Sequence, residues 1–258
     1  MKTALKKIAG LLGFEIIRKG SVPSDLTRLR SDFSPEEHQF LQSLETYTQT
    51  SPERLLALIR AVEYTVKFKI PGAFVECGAW KGGSIMTVAY TLSRLGVRDR
   101  DLFLYDTFEG MTEPTEIDVS HYGVAAAESY RRYREEKVDD AGLFEINIAP
   151  LEEVRKALEK TGYPQKHVHF VKGKVENTIP GTAPEQIALL RLDTDWYEST
   201  RYEMAHLFPR FSTGGVLIVD DYGEWRGSRQ AIDEYINDNN IPLLMNRIDY
   251  TCRIAVKP

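Results

Sequence analysis

The stretch Gly72-Ala73-Phe74-Val75-Glu76-Cys77-Gly78-Ala79-Trp80-Lys81-Gly82-Gly83-Ser84 decides the fold. A short apolar run ends at an acid and passes through a glycine-rich turn. In the segment that follows, Ile85, Val88, Ala89 and Leu92 recur at three- and four-residue intervals. This pattern predicts a buried strand over 73–77 and an amphipathic helix over 82–95. A parallel strand feeding a glycine turn and a helix N-terminus is where an open α/β sheet holds a nucleotide-like cofactor. A tight turn of purely structural use would read the same way, so the remainder of the chain has to separate the two.

From Phe74 onward, strand and helix patterns alternate, which argues for a parallel sheet. Strands are predicted near 73–77, 102–106, 167–171, 187–192, 215–219, 243–248 and 251–256. Helices are predicted near 82–95, 125–138, 151–161, 198–208 and 228–239. The last two strands are joined through Asp249-Tyr250, too short for a helix, so they form an antiparallel hairpin. The fold class is therefore α/β and Rossmann-like, with a seven-stranded, mostly parallel sheet that closes on a C-terminal hairpin. A dinucleotide dehydrogenase would end instead on a sixth helix-linked parallel strand.

Upstream, Ser34-Pro35-Glu36-Glu37 and Thr50-Ser51-Pro52-Glu53 both read as helix starts, with a cap, a proline in the first turn and acids facing the positive end of the dipole. The expected organisation is an N-terminal helical extension over 1–70 and a catalytic domain over 71–258. Between Asp106 and Leu151 lie more than forty residues, too many for a plain connection, and 109–149 is expected to be a lid insertion.

A net charge of −5 over 258 residues gives no support for a nucleic-acid partner. Residues 1–30 carry seven Lys or Arg against two acids, a surplus of +5, so the remainder carries −10. Leu5, Ile8, Leu12 and Ile16 share one helical face there. Residues 1–20 thus read either as a weak membrane-surface contact or, more simply, as a terminal helix packing on the body or on a second copy in a homodimer. No run approaches the ~20 apolar residues that span a bilayer. Only Cys77 and Cys252 occur, which is no disulfide framework and points to a cytoplasmic location.

The turn narrows the cofactor. A dinucleotide fingerprint needs a glycine where Trp80 stands. The pattern Glu76-x-Gly78-x-x-x-Gly82 has instead the spacing of S-adenosylmethionine sites, and makes Glu76, Cys77, Gly78, Ala79, Trp80, Gly82 and Ser84 the candidate cofactor residues. Asp106 ends the second strand, where a carboxylate can accept from both ribose hydroxyls; its alternative use is a cap within Asp106-Thr107. Gly173, after the third strand, would admit the adenine ring.

The fourth strand ends in Leu192-Asp193-Thr194-Asp195-Trp196 and the fifth in Val219-Asp220-Asp221-Tyr222. Neighbouring parallel strands end side by side, so these acids should meet. Carboxylates gathered there repel unless a cation or protons compensate. Oxygen donors without Cys or His favour Mg²⁺, with Asp193, Asp220 and Asp221 as ligands. The alternative use of these residues is capping, Asp193 or Asp195 at the helix opening near Tyr197. A metal beside a methyl donor makes chemical sense for methylation of a hydroxyl, because coordination lowers the hydroxyl pKa. Asp193 is the first candidate base, with His121 and His206 in reserve.

The runs Val75-Glu76-Cys77-Gly78-Ala79-Trp80-Lys81-Gly82-Gly83-Ser84, Tyr105-Asp106-Thr107-Phe108-Glu109-Gly110-Met111, Leu192-Asp193-Thr194-Asp195-Trp196-Tyr197-Glu198-Ser199-Thr200 and Asp220-Asp221-Tyr222 resemble the macrocin O-methyltransferase family over residues 50–258. The resemblance implies a class I methyltransferase fold, S-adenosyl-L-methionine and Mg²⁺ as cofactors, Asp193 as both ligand and base, and a small-molecule glycosylated or hydroxylated acceptor from natural-product biosynthesis. Three competing readings are a methyltransferase of a cell-surface or lipid-linked glycan, a non-catalytic S-adenosylmethionine-binding partner protein, and an NAD-dependent oxidoreductase.

Overall fold

The computed structural model describes residues 32–139 and 142–258; the basic amphipathic segment 1–20 lies outside them. The described residues fall into two units that part after Ser43, the second running Leu44–Pro258. In the first, helix α1 (Pro35–Ser43) opens as its sequence predicts. Glu37 N–H donates to Ser34 Oγ at 3.2 Å, and Ser34 N–H donates back to the Glu37 carboxylate at 2.7 Å. Two orphan donors of the first turn are thereby satisfied reciprocally.

The second unit begins with the helix α2 (Pro52–Lys67), capped by Ser51 Oγ, which accepts from Arg54 N–H at 3.3 Å. Leu55, Leu58, Ile59 and Val62 form its buried face. This helix lies within the same compact unit as the sheet. Among the described residues the sheet has seven strands: β1 (Ala73–Cys77), β2 (Leu102–Asp106), β3 (Val168–Lys172), β4 (Ile187–Leu192), β5 (Phe211–Val219), β6 (Asn246–Arg247) and β7 (Arg253–Val256), in the order β3-β2-β1-β4-β5-β7-β6. The first five are parallel. β7 pairs antiparallel with both β5 and β6, so the C-terminal hairpin expected from the short Asp249-Tyr250 connection is present.

All residues of β1 and β4 are buried, as central strands covered on both faces must be. Helices α3 (Gly83–Arg94), α6 (Leu151–Glu159), α8 (Tyr197–Leu207) and α9 (Arg226–Asp238) occupy the predicted helical segments. An additional helix, α7 (Val175–Thr182), separates β3 from β4. Pro180 and Gly181 disguise it in the sequence. Proline falls in the final turn, and burial of Val175 and Ile179 holds the segment helical despite its poor propensity.

The insertion contains α4 (Ala126–Glu136) and the single turn α5 (Leu143–Ile146). Its first part is fastened to the domain by hydrogen bonds. Trp196 Nε1–H donates to Thr112 O at 2.9 Å, Arg226 N–H donates to Val119 O at 2.9 Å, and Ser120 bridges to Trp225. A small aromatic core of Ala126, Phe144, Trp196 and Trp225 lies beneath. Among the described residues, no helix is long and apolar enough to cross a membrane. Both thiols, Cys77 and Cys252, are free and buried.

Candidate active site

Strand register levels the carboxyl edge. Cys77 is paired with Leu192, and Leu192 with Val219. The chain continues this pairing one step beyond each strand. Asp193 N–H donates to Cys77 O, and Asp220 N–H donates to Leu192 O, both at 2.9 Å. The acids that terminate β4 and β5 therefore emerge side by side. One oxygen from each of Asp193, Asp220 and Asp221 lies within 4.8 Å of the others.

A cavity of about 400 Å³ runs along this edge. One end is lined by Gly78, Ala79, Trp80, Ser84, Asp106 and Gly173, the other by Asp193, Asp195, Asp220 and Asp221. Six of the nine predicted cofactor residues thus share one space with the predicted metal ligands. Glu76, Cys77 and Gly82 do not line it. Alternation along β1 turns Cys77 into the core with Val75, while Glu76 faces the opposite way and bonds Arg191. Gly82 takes a φ of 86° at the start of α3, and a Cβ there would meet Val154 and Leu158 of α6 at 3.1 Å.

Gly78 is required for a reason beyond ligand access. Its φ is 82°, and a Cβ would lie 1.9 Å from the carbonyl oxygen of Asp193. The close passage of the β1 and β4 termini, which places Asp193 beside the turn, admits no side chain at this position. Asp106 is similarly committed. Its Oδ2 accepts from Ala79 N–H at 2.8 Å and Trp80 N–H at 3.0 Å, and its Oδ1 from Phe108 N–H at 2.6 Å. The capping use is therefore realised, and it clamps the glycine turn to the end of β2. Trp80 Nε1–H donates to Ile146 O at 2.7 Å, and Gln49 Nε2–H donates to Asn147 Oδ1 at 2.9 Å, tying the α5 region to the glycine-turn end of the cavity.

Neither Asp193 nor Asp195 caps the helix that follows. Tyr197 N–H donates instead to Asp118 Oδ1 at 2.8 Å, from within the insertion. Asp118 is fully buried, and its other oxygen accepts from Thr115 N–H and Oγ1–H. Asp195, at φ 67°, accepts from Trp225 Nε1–H at 2.8 Å. The strand-end acids are thus left to face the cavity. His206 is exposed on α8, where its Nδ1 lies 2.8 Å from Tyr202 O, well removed from these acids in its contacts. His121 lies against Glu224, which lines the cavity.

Buried Arg191 and partly buried Arg54 supply part of the compensating charge. Arg191 Nη1–H donates to Glu76 Oε1 and Asp193 Oδ2, both at 2.7 Å, and its Nη2–H donates to Asp220 Oδ2. Arg54 bonds Asp220 Oδ1, Asp249 Oδ2 and Thr251 Oγ1. Burial opposes the Arg191 charge, but Asp193, Asp220 and Glu76 outweigh it and hold its pKa well above the usual value. The acids still outnumber these cations. Burial, only partly offset by Arg191, pushes the Asp193 carboxyl up to about 7 and the Glu76 carboxyl up to about 8. Burial first, and then the neighbouring carboxylates, also hold the Asp195 and Asp221 carboxyls well above the usual carboxylate range. The buried Asp221 Oδ2 has no hydrogen-bond partner. A site with surplus carboxylates and one orphaned oxygen suits a hard divalent cation.

The pH dependence of stability follows from these shifts. In the folded protein Glu76 keeps its proton up to about 8, against 4.5 for an unperturbed Glu. Between those values the native state binds more protons than the unfolded state, so stability falls as pH rises. Urea unfolding in excess EDTA should give midpoints that decline steadily from about pH 5 to about pH 8. Midpoints rising across that interval would show that Arg191 and Arg54 keep the cluster ionised throughout.

Sequence reasoning did not single out Arg54, Arg191 or Asp118. Arg191 carried a signal: an arginine between Leu190 and Leu192 of a central strand cannot remain unpaired. Arg54 and Asp118 carried none, because their partners are remote in sequence.

A profile of the macrocin-O-methyltransferase (TylF) family matches residues 42–256. The 8-demethyl-8-(2,3-dimethoxy-alpha-L-rhamnosyl)-tetracenomycin-C 4'-O-methyltransferase of Streptomyces olivaceus is 33% identical over 80% of this chain and 73% of its own. The demethyldecarbamoylnovobiocin O-methyltransferase of Streptomyces niveus is 31% identical over 73% of this chain and 67% of its own. Among solved structures, the O-methyltransferase NovP superposes with a TM-score of 0.70 at 28% identity, over 82% of both chains. The calicheamicin methyltransferase CalS11, at 17% identity and a TM-score of 0.62 over 95% of this chain and 96% of its own, shares the fold. With the profile covering most of the sequence and the acid-lined cavity at its carboxyl edge, the chain belongs to the macrocin-O-methyltransferase (TylF) family and is an O-methyltransferase.

Proposed function

We propose that this protein is an S-adenosylmethionine- and Mg²⁺-dependent O-methyltransferase acting on a hydroxyl of a sugar or sugar-bearing natural product. The observation that carries this reading is the single cavity joining the glycine turn after β1 to the carboxylates after β4 and β5. The names of relatives support the acceptor class, one of them specifying a rhamnosyl tetracenomycin.

On this reading Gly78, Ala79, Trp80, Ser84, Asp106 and Gly173 line the cofactor end, with Glu76, Cys77 and Gly82 shaping the turn behind them. The donor set fits a magnesium ion: three carboxylates with oxygens in mutual reach, one of them orphaned and buried, and no thiol or imidazole among them. Asp193, Asp220 and Asp221 would hold it. The bound ion would supply Lewis acidity that lowers the pKa of an acceptor hydroxyl, and S-adenosylmethionine would supply the electrophilic methyl group. Asp193 takes the hydroxyl proton as general base, and it alone of the triad keeps its side chain 29% exposed. Arg191 fixes that carboxylate by its bond to Oδ2. Trp80 is held to the α5 region by its bond to Ile146 O.

Metal removal tests this reading. Methyl transfer to a rhamnoside should fall to background in EDTA and return on adding excess Mg²⁺. Undiminished turnover in EDTA would overturn the metal assignment while leaving the methyltransferase assignment intact.

A further inference from the structure

Beyond the cofactor and acid ends, the cavity has an aromatic rim. Glu224 and Tyr250 line the cavity alongside Asp221. Tyr250 is 56% exposed, and Tyr122 from the insertion is 80% exposed. Between them sits His121, its ring centroid 3.7 Å from that of Tyr122 and 5.6 Å from that of Tyr250. His121 Nδ1 lies 2.9 Å from Glu224 Oε2. Rings this exposed add little to a core and leave apolar surface in water.

The loops that carry these rings are nonetheless tightly bound to one another. Gly223 N–H donates to Thr251 O at 2.7 Å, and a Cβ on Gly223 would lie 2.1 Å from Tyr250 O. Backbone therefore packs on backbone between the segment after Asp221 and the β6–β7 turn. His121 N–H donates to Glu224 O at 2.8 Å, which fixes the insertion to the same segment. Arg54 ties Asp249 and Thr251, on either side of Tyr250, to the strand-end acid Asp220. Exposed rings held in fixed positions beside a reactive centre match what recognition of a flat, partly apolar ligand needs, because little conformational entropy is lost on binding.

We propose that Tyr250, Tyr122 and the His121–Glu224 pair form the surface that selects the acceptor. Tyr250 and Tyr122 cover the apolar faces of a neutral glycoside and its aglycone. Glu224 Oε1, on the side of the carboxylate not engaged by His121, accepts from a sugar hydroxyl near the one that is methylated. This assignment rests on the glycoside reading above, and a binding measurement separates the two.

The test is equilibrium binding of 4-nitrophenyl α-L-rhamnoside and methyl α-L-rhamnoside to the full chain saturated with S-adenosylhomocysteine, by calorimetry. The wild type should prefer the aryl glycoside. Tyr250→Ala and Tyr122→Ala should each lower that preference about three- to tenfold. Tyr250→Phe should retain it, and S-adenosylhomocysteine affinity should be the same in all variants, which reports intact folding. Equal binding of the two glycosides by the wild type, or a preference that survives both truncations, would overturn the assignment. The glycoside reading fails differently: the aryl glycoside binds, but neither glycoside is methylated when S-adenosylmethionine and Mg²⁺ are supplied.

Discussion

Replacing Asp193 with asparagine is expected to lower methyl transfer by about 10³-fold or more, since general-base catalysis alone contributes on the order of 10²–10⁴-fold. The substitution removes the charge and the proton acceptor together, but keeps the shape. Asparagine can still accept from Arg191 through its amide oxygen, so the bond that positions residue 193 is retained. The backbone of Asp193, which packs on Gly78 and donates to Cys77 O, is also unchanged. S-adenosylmethionine affinity should therefore stay within about threefold of wild type, less than 1 kcal/mol. Single-turnover methylation of a rhamnoside, paired with calorimetric titration of the cofactor, measures both quantities. A variant that keeps a tenth or more of the wild-type rate would remove Asp193 from the role of base.

The largest effect on stability is expected at Arg191. Its side chain is 4% exposed, and two of its three carboxylate partners, Glu76 and Asp220, are 3% and 4% exposed. Arg191→Met keeps most of the aliphatic stem but withdraws the guanidinium from all three partners, leaving Glu76 without its ion pair and Asp220 with Arg54 alone. Removing one member of a buried ionic group costs about 3–5 kcal/mol, because the remaining groups stay buried without compensation. Urea unfolding of Arg191→Met in EDTA at about pH 9, above the pH at which Glu76 gives up its proton, should show that loss. Arg191→Met combined with Glu76→Gln should recover part of it, since the amide at position 76 carries no charge that needs neutralising. A single variant within about 0.5 kcal/mol of wild type would mean that the carboxyl groups are protonated in the native protein and that Arg191 is dispensable.

Much of the scaffold was legible in the sequence because each cue is local. Alternation of strand and helix patterns from Phe74 onward required a parallel sheet, and the short Asp249-Tyr250 connection required a hairpin at its end. The meeting of Asp193 with Asp220 and Asp221 also followed from sequence, because adjacent parallel strands of matched register deliver their terminal residues to the same edge. The helix Val175–Thr182 was obscured because tertiary burial of two side chains overrides the weak propensity of a segment containing Pro180 and Gly181.

The sequence by itself determined which residues end the strands, and hence which functional groups can reach the carboxyl edge. Only the tertiary structure decided which of those groups are already engaged. Asp106 has three backbone donors, Glu76 turns away to Arg191, Asp118 rather than Asp193 or Asp195 caps the helix at Tyr197, and Arg54 joins Asp220 to the turn bearing Tyr250. The reason is physical. Strand and helix periodicities act over a few residues, whereas neutralising a buried charge draws on whatever donors the folded chain brings within about 3 Å, at any separation in sequence.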